Sequence, residues 1–406
     1  MTNPRATLFD LFSVGVAAVD PTRVVIEALA EDRGPSPAAI LAIGKAAAGM
    51  AWGATEVYGH RPGVVVSHQA APVPPGMTHL IAGHPLPDQR SVAAGDAALE
   101  LAGALDIDER LLVLISGGAS ALVESPVDDL TVADLAALTD QLLRSGASIS
   151  EINAVRSAAS RIKAGGLREA TRADVTTLAI SDVVGDDPHA IGSGPTVAPV
   201  GPPQAATVLR RYGDRLDIPD VLASAVATPR AHPHTTGRGD YRVIASGATA
   251  LRAVVEAAGE AGITVRASAG PLTGDASGAA RATVARCLAA GPGLDVYSGE
   301  TTLEVTGPGV GGRCQHAALV AADEIAGKPD VVFLAGGTDG RDGPTDAAGA
   351  VVDGGSVKRA EAAGHTVASH LADFDSNSWL AASGDLIDTG PTGTNVGDLW
   401  MCWNTG

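Results

Sequence analysis

The sequence predicts an α/β protein of two domains whose first half is a doubly wound parallel sheet, and three observations carry that prediction. Short, uninterrupted apolar runs such as LLVLI break abruptly into glycine-rich loops, the pattern of strands buried on both faces. Alanine-rich segments with helical spacing alternate with those runs, as βαβ units require. The 406 residues exceed the length at which one core keeps growing, and a Pro-rich, polar stretch between Val197 and Arg238 interrupts the pattern near the middle.

From the N-terminus, Arg5 to Leu29 has helical spacing, with Asp20 and Pro21 as cap and first position of a second helix. Ala39 to Ile43 reads as a strand that runs into GKAAAGM, and Gly63 to Val66 as another. The run from Arg110 is a strand opening into SGGASAL; Leu130 to Leu143 and Ile152 to Ala170 read as helices, and Val175 to Ile180 as a strand ending in SDVVGDDPHAIGSGPT. A boundary between residues 235 and 236 divides the chain into domains 1–235 and 236–406, with the last segment free to return to the first domain. The strands expected beyond it are Tyr241 to Ala245, Ile263 to Ala267, Thr301 to Val305 and Val331 to Leu334, the last read as parallel. No internal repeat and no low-complexity tail is present.

Composition narrows the function classes. A hydrophobic content of 45% against 18% charged residues describes a folded chain, and with aromatics at 3% the core must be built from Ala, Val, Leu and Ile. The formal net charge of −18 repels nucleic acid and anionic membrane, so an anionic small molecule would need local cations, helix N-termini or a metal to bind. Cys287, Cys314 and Cys402 are odd in number and unclustered, which argues against a disulfide framework and a thiolate metal site. The start MTNPRATLFDLF lacks the signal-peptide pattern and no run reaches the roughly 18 apolar residues of a membrane span. The expectation is a cytoplasmic protein without nucleic-acid or membrane partners. Only Lys45, Lys163, Lys328 and Lys358 are lysine among 28 basic residues, so a lysine kept inside a motif stands out.

Several motifs could carry chemistry. Lys45 follows a strand directly through Gly44 and stands at the start of a helix, a phosphate-facing placement. Ser116, Gly117, Gly118 and Ser120 of SGGASAL could form an anion-binding nest or only a tight turn. INAVRSAASRIKAGGL spaces Asn153, Arg156, Ser160 and Lys163 as one polar stripe on a helix, able to grip an anion or simply to face solvent. Two acidic loops, one with Asp182, Asp186 and Asp187 ahead of Ser193 and Gly194, the other with Asp339, Asp342 and Asp346, suit a hydrated divalent cation or an ordinary acidic turn. GPGVGG ahead of Arg313 matches GxGxxG formally, but a single fingerprint late in the chain lacks the leading βαβ half of a dinucleotide site. His84 and His189 read as structural or solvated histidines. No G-x-S-x-G elbow and no H-E-x-x-H or C-x-x-C spacing occurs.

In order, AIGKAAAGM, GHPLPDQRS, LISGGASAL, INAVRSAASRIKAGGL, SDVVGDDPHAIGSGPT, SGETTLEV with GGRCQ, and GTDGRDGPTDAAGA resemble the glycerate 2-kinase family over nearly the whole chain. This is the class with a C-terminal MOFRL domain, also labelled hydroxypyruvate reductase. The resemblance implies a Rossmann-like first domain, a smaller second α/β domain with a mixed sheet, and an active site in the cleft between them. It implies ATP-dependent phosphorylation of the 2-hydroxyl of D-glycerate with Mg²⁺, by a monomer or homodimer that binds ATP and a small anionic hydroxy acid. By the same resemblance Lys45 and Arg313 are catalytic and Ser116, Gly117, Gly118 and Ser120 hold nucleotide, with Ser193 and Gly194 expected to join them; deprotonation of the attacking hydroxyl calls for a carboxylate, and Asp182 is the catalytic candidate for it. Asn153, Arg156 and Lys163 would bind substrate, and Asp182, Asp186 and Asp339 would bind the metal. Val310, Cys314 and His316 depart from the family's pattern beside the presumed acceptor pocket, which leaves another small hydroxy acid or sugar acid as the alternative acceptor. A nicotinamide-dependent reductase and a nucleotide-binding sensor are the remaining readings.

Overall fold

A computed structural model describes residues 3–127, 130–198, 205–218, 223–224, 239–266 and 271–406. The chain forms two compact units, one from Pro21–Ser181 with Asp186–Ile244, the other from the residues up to Asp20, Asp182–Gly185 and Ala245–Gly406. The expected boundary at 235/236 lies outside the described residues.

The first unit is built on a six-stranded sheet of order β3-β2-β1-β4-β5-β6. Its strands are β1 (Ala39–Ile43), β2 (Gly63–Ser67), β3 (Met77–Ile81), β4 (Arg110–Ile115), β5 (Asp174–Ile180) and β6 (Gly239–Ala245). The pairs β1–β2, β2–β3, β1–β4 and β4–β5 are all parallel. Every residue of β1, β2 and β4 is buried, which is why these strands read as continuous apolar runs. The order reverses between β1 and β4, the switch point at which doubly wound sheets bind ligands outside their strand ends. Tyr241–Ala245, expected among the strands of the second half, instead joins this sheet as the edge strand β6; hydrogen-bonding partners decide membership, and sequence proximity does not.

The second unit carries a mixed sheet of order β11-β10-β9-β12-β8-β7. These are β7 (Val265–Arg266), β8 (Gly293–Gly299), β9 (Val331–Gly337), β10 (Gly349–Asp353), β11 (Leu386–Ile387) and β12 (Asp398–Asn404). Only β7–β8 is parallel; β8–β12, β12–β9, β9–β10 and β10–β11 are antiparallel. The helix Arg313–Glu324 is buried at every position from Cys314 to Ala322, so it runs through the core with no solvated face. Beneath it Trp400 meets Phe333 edge to face, ring centroids 5.7 Å apart.

Four expectations change here. β9 is buried as predicted but antiparallel to both neighbours, because a continuous apolar run reports burial and not direction. Thr301–Val305 is no strand: only Thr302 bridges, to Asp275, and Val305 is 53% exposed. Of Ile263–Ala267 the described part forms the two-residue β7, Ala267 lying outside the described residues. The helix expected over Ile152–Ala170 stops at Ala158, and a separate short turn spans Gly166–Glu169. Among the described residues no helix is long and apolar enough to cross a membrane.

Candidate functional site

In the first unit the loops that leave β1 and β4 are tied together at the switch point. Lys45 N–H donates to the Gly117 carbonyl at 2.9 Å and Ser116 N–H to the Ile43 carbonyl at 2.9 Å. The Ser116 hydroxyl, fully buried, accepts from Ala46 N–H at 3.0 Å, so it holds the turn and does not face outward. Gly44 must be glycine: its φ is +130° and a Cβ would lie 2.1 Å from Ser116 Oγ. Lys45 is half-buried at the entrance to the helix Ala47–Tyr58, whose N-terminus has no side-chain cap. Such an end presents backbone N–H groups and a positive dipole to an anion.

Gly118, with φ +84°, opens the short helix Ala119–Leu122, and a Cβ there would sit 3.0 Å from the His84 ring and 3.6 Å from Lys45 Cγ. His84 therefore stands over the same loop as Lys45, although its residue type alone suggested a structural role. Ser120 Oγ lies 2.7 Å from Ser193 Oγ, and Arg156 Nη2 reaches Ser120 Oγ and O at 3.3 and 3.4 Å. Ser193 and its neighbours Gly192 and Gly194 all have positive φ, and their carbonyls fasten a second turn, Ser193 O accepting from Ala164 N and Gly194 O from Gly165 N. The Gly-rich turns after β4 and β5 and the Arg156 helix thus meet on Ser120.

Lys163 does not share a helical stripe with Asn153 and Arg156, because the helix has ended. It is 1% exposed, and its ammonium donates to Glu124 Oε2 at 2.7 Å and to the Ser120 and Val123 carbonyls at 2.9 and 3.3 Å. All three N–H groups are spent within the protein. Burial pushes its pKa down while the Glu124 carboxylate opposes that shift. Asn153 and Arg156 share one face of the helix Ile149–Ala158, both half-buried.

The second unit supplies a different constellation. Arg313 opens the central helix and donates from Nε and Nη2 to the two oxygens of Asp398 at 2.7 and 2.9 Å, while Nη1 pairs with Glu300 at 3.0 Å. Burial opposes its charge, but the paired bonds to Asp398 prevail and hold the guanidinium above its usual range. Asp398 starts β12 opposite Gly299 of β8 and Gly337 of β9, so no side chain competes for the space beside it. Asp182 Oδ2 accepts from Asn395 Nδ2 at 2.9 Å, and the Asp339 carbonyl accepts from Thr392 N at 3.3 Å; one segment, residues 392–395, holds both.

The carboxylates of the 339–346 loop do unlike work. Asp342 is 4% exposed and caps the central helix, accepting from Cys314 N at 3.0 Å and Gln315 N at 2.7 Å; burial raises its pKa to about 6. Asp346 is exposed and pairs with Arg341. In the other acidic loop Asp187 accepts from His189 N and Nδ1, which lowers its pKa, and Asp186 sits at φ +54°. Among the described residues no three His, Cys, Asp or Glu side chains are grouped to enclose a metal ion. The contact of Asp339 with the 392–395 segment is through its backbone carbonyl, whereas Asp182 meets it through its carboxylate.

The glycines of GPGVGG are filled by protein. A Cβ on Gly307 or Gly309 would meet the Asp373 carbonyl at 2.4 or 2.5 Å, one on Gly311 the Ser376 hydroxyl at 2.1 Å, and one on Gly312 the Asp342 carboxylate at 2.3 Å. They admit neighbouring backbone and caps, where a dinucleotide site would admit pyrophosphate. Cys314 is fully buried, and His316 bonds Ser277 at 2.9 Å and stacks on Phe374 at 5.2 Å, so both departures belong to the interior around the central helix. Sequence reasoning passed over Glu124, Asn395 and Asp398; each is a single acidic or amide residue outside any motif, with no signal of its own.

Comparison with known proteins places these observations. Residues 7–227 match a family described as a domain of unknown function, DUF4147, and residues 294–398 match the MOFRL family. A D-glycerate 2-kinase of Thermotoga maritima is 35% identical over 96% of this chain and 96% of its own length. A protein of Agrobacterium vitis described as a putative hydroxypyruvate reductase is 37% identical over 97% of this chain and 93% of its own. The crystal structure of a glycerate kinase from Thermotoga maritima superposes with a TM-score of 0.89 at 34% identity, covering 98% of this chain and 99% of that one.

Proposed function

The chain belongs to the glycerate 2-kinase family, and from that premise we propose that it transfers the γ-phosphoryl group of ATP to the 2-hydroxyl of D-glycerate. The reading is carried by one observation: Lys45 and the 116–118 loop are bonded to each other at the topological switch point, beside an uncapped helix N-terminus. Phosphoryl transfer demands positioning and charge neutralisation more than covalent chemistry, and these are groups of that type.

In this proposal Gly117, Gly118 and Ser120, with Ser193 and Gly194 behind them, seat the nucleotide, and Ser116 fixes the turn. Lys45 follows the transferring phosphoryl group, Arg313 offers the N–H groups that Asp398 and Glu300 leave over, and Arg156 with Asn153 meets the acceptor's carboxylate. Lys163 acts behind the loop and not on the substrate. Mg²⁺, when bound, would neutralise phosphate charge, with Asp182 and Asp339 as its protein ligands and Asp186 the weaker candidate. Asp182 is also the candidate to accept the proton of the attacking hydroxyl. The cytoplasm would supply the ATP.

The alternative name among the relatives implies hydride transfer. The protein-filled faces of Gly307, Gly309, Gly311 and Gly312 weigh against a nicotinamide site there. An ADP-release screen over small hydroxy acids with Mg·ATP, followed by product identification, separates the readings. The expected result is turnover with D-glycerate to 2-phosphoglycerate, and a loss of about 10²-fold or more in Asp182→Asn. ADP release with a longer acid but not glycerate would reassign the acceptor, and nicotinamide oxidation with hydroxypyruvate would overturn the kinase reading.

A further inference from the structure

The buried pair Glu124–Lys163 has no part in the roles assigned above, yet it lies directly behind the loop proposed to seat the nucleotide. Residues 125–127 run antiparallel to 159–161: Pro126 bridges Ser160, Arg161 N–H donates to the Ser125 carbonyl at 2.6 Å, and Val127 N–H to the Ala159 carbonyl at 3.0 Å. That pairing carries Lys163 to Glu124. Both side chains are 1% exposed.

Glu124 itself is fixed from a third direction. Its N–H donates to the Ser91 carbonyl at 3.0 Å, its Oε1 accepts from Ser125 N at 3.0 Å, and Gly95 of the helix Gln89–Gly103 lies so close that a Cβ there would be 2.0 Å from the Glu124 carbonyl oxygen. Lys163 then reaches forward from Glu124 to the carbonyls of Ser120 and Val123, at both ends of the helical turn that follows Gly118. Arg156 touches the same Ser120 carbonyl and hydroxyl. Two cations converge on Ser120, and among the described residues Glu124 is the carboxylate in ion-pair contact with either of them.

We propose that Glu124 is a positioning residue for nucleotide recognition: through Lys163 it holds the carbonyls of the 119–123 turn inward, so that the Gly117–Ser120 loop presents its N–H groups and hydroxyl to the phosphates of ATP. The inference rests on the reading of that loop as the nucleotide seat. A carbonyl held by a buried ammonium fixes its whole peptide plane: that of Ser120 carries Ala121 N–H, which donates to the Gly118 carbonyl at 3.0 Å, so Lys163 locks the turn on Gly118 and with it the loop's own N–H groups, the alignment an anion-binding nest requires. A buried ion pair replaced on both sides by apolar residues of like volume leaves stability little changed or raised, so position and stability can be tested apart.

The test uses the full chain as Glu124→Gln, Glu124→Asp and the double variant Glu124→Met/Lys163→Met, with ATP affinity measured by titration calorimetry without acceptor, and KM for ATP and for D-glycerate measured separately. In the double variant, a melting temperature near the parent's with a rise in ATP Kd and KM of about tenfold or more, and a glycerate KM within twofold, supports the proposal. Glu124→Asp, which keeps the charge but shortens its reach, should give a smaller rise in the same constant only. Unchanged ATP Kd in folded variants, or equal increases in both KM values, overturns it. If the parent binds ATP but no hydroxy acid yields ADP, the kinase reading fails while the ATP titration still decides the role of Glu124.

Discussion

Asp342 shows how one residue type serves two purposes within a single loop. Asp346 is exposed and Asp339 half-buried, whereas Asp342 is buried beneath Gly312 and accepts from Cys314 and Gln315 N–H in the central helix's first turn. Burial raises its pKa to about 6 although those bonds and the helix dipole favour the anion. The folded state therefore binds this proton more tightly than the unfolded chain does, so the group's contribution to stability is full below about pH 4 and is lost as pH rises through about 6. A shift of that size corresponds to roughly 3 kcal/mol. Asn at this position keeps one acceptor and cannot ionise. The stability difference between Asp342→Asn and the parent, from urea unfolding, should move in favour of the variant between pH 4 and 7; a difference that stays flat across that range would remove burial as the cause.

At the scale of elements, the loops depend on glycines more than on side chains. Gly118→Ala places a Cβ at φ +84° and 3.0 Å from the His84 ring. The backbone term is about 1–2 kcal/mol, or a few degrees of melting temperature, because the left-handed region is open to alanine at that cost. His84 is exposed and can turn aside, so the fold should survive while the loop shifts, raising KM for ATP severalfold; an unchanged KM would separate the loop from the nucleotide. These elements were unevenly legible. β1 and β4 were placed to within a residue because parallel strands buried on both faces are near-continuous apolar runs that break into glycine loops, and β5, DVTTLAI, was placed as closely on its β-branched residues. β8, β10 and β12 were missed: Gly293–Gly299 and Gly349–Asp353 start on glycine and show no clean alternation, and in β12 the apolar run LWMCW lies between polar ends with no glycine-rich loop following it. Thr301–Val305 misled for the opposite reason: its β-branched residues fit a strand, but Thr301 is buried, Leu303 half-buried and the other three exposed. Lys163 drew notice as a rare lysine, yet spacing alone put it on a helix it does not share, because its environment is set by Glu124, 39 residues away.

For the whole molecule, two sheets in two compact units imply separable stability. Val331, Phe333, Trp379 and Trp400 belong to the core of the second unit, whereas Leu135, Leu138, Ile152 and Val155 form a cluster in the first. If each unit melts cooperatively on its own core, calorimetry should resolve two transitions. The proposed nucleotide loops all belong to the first unit. ATP at about 100 times its Kd adds near 2.7 kcal/mol to whatever it binds, and for a unit of 150–250 residues that is roughly 5–10 °C. ATP without acceptor or Mg²⁺, which leaves the proposed carboxylate ligands of the second unit unengaged, should therefore raise one transition more than the other. Asp342→Asn, which lies in the second unit, identifies the transition that ATP leaves behind, because only that one should change with the variant. Equal movement of both transitions with ATP would mean that nucleotide binding energy is spread over both cores, and the assignment of its seat to the turns around Ser120 would then be too narrow.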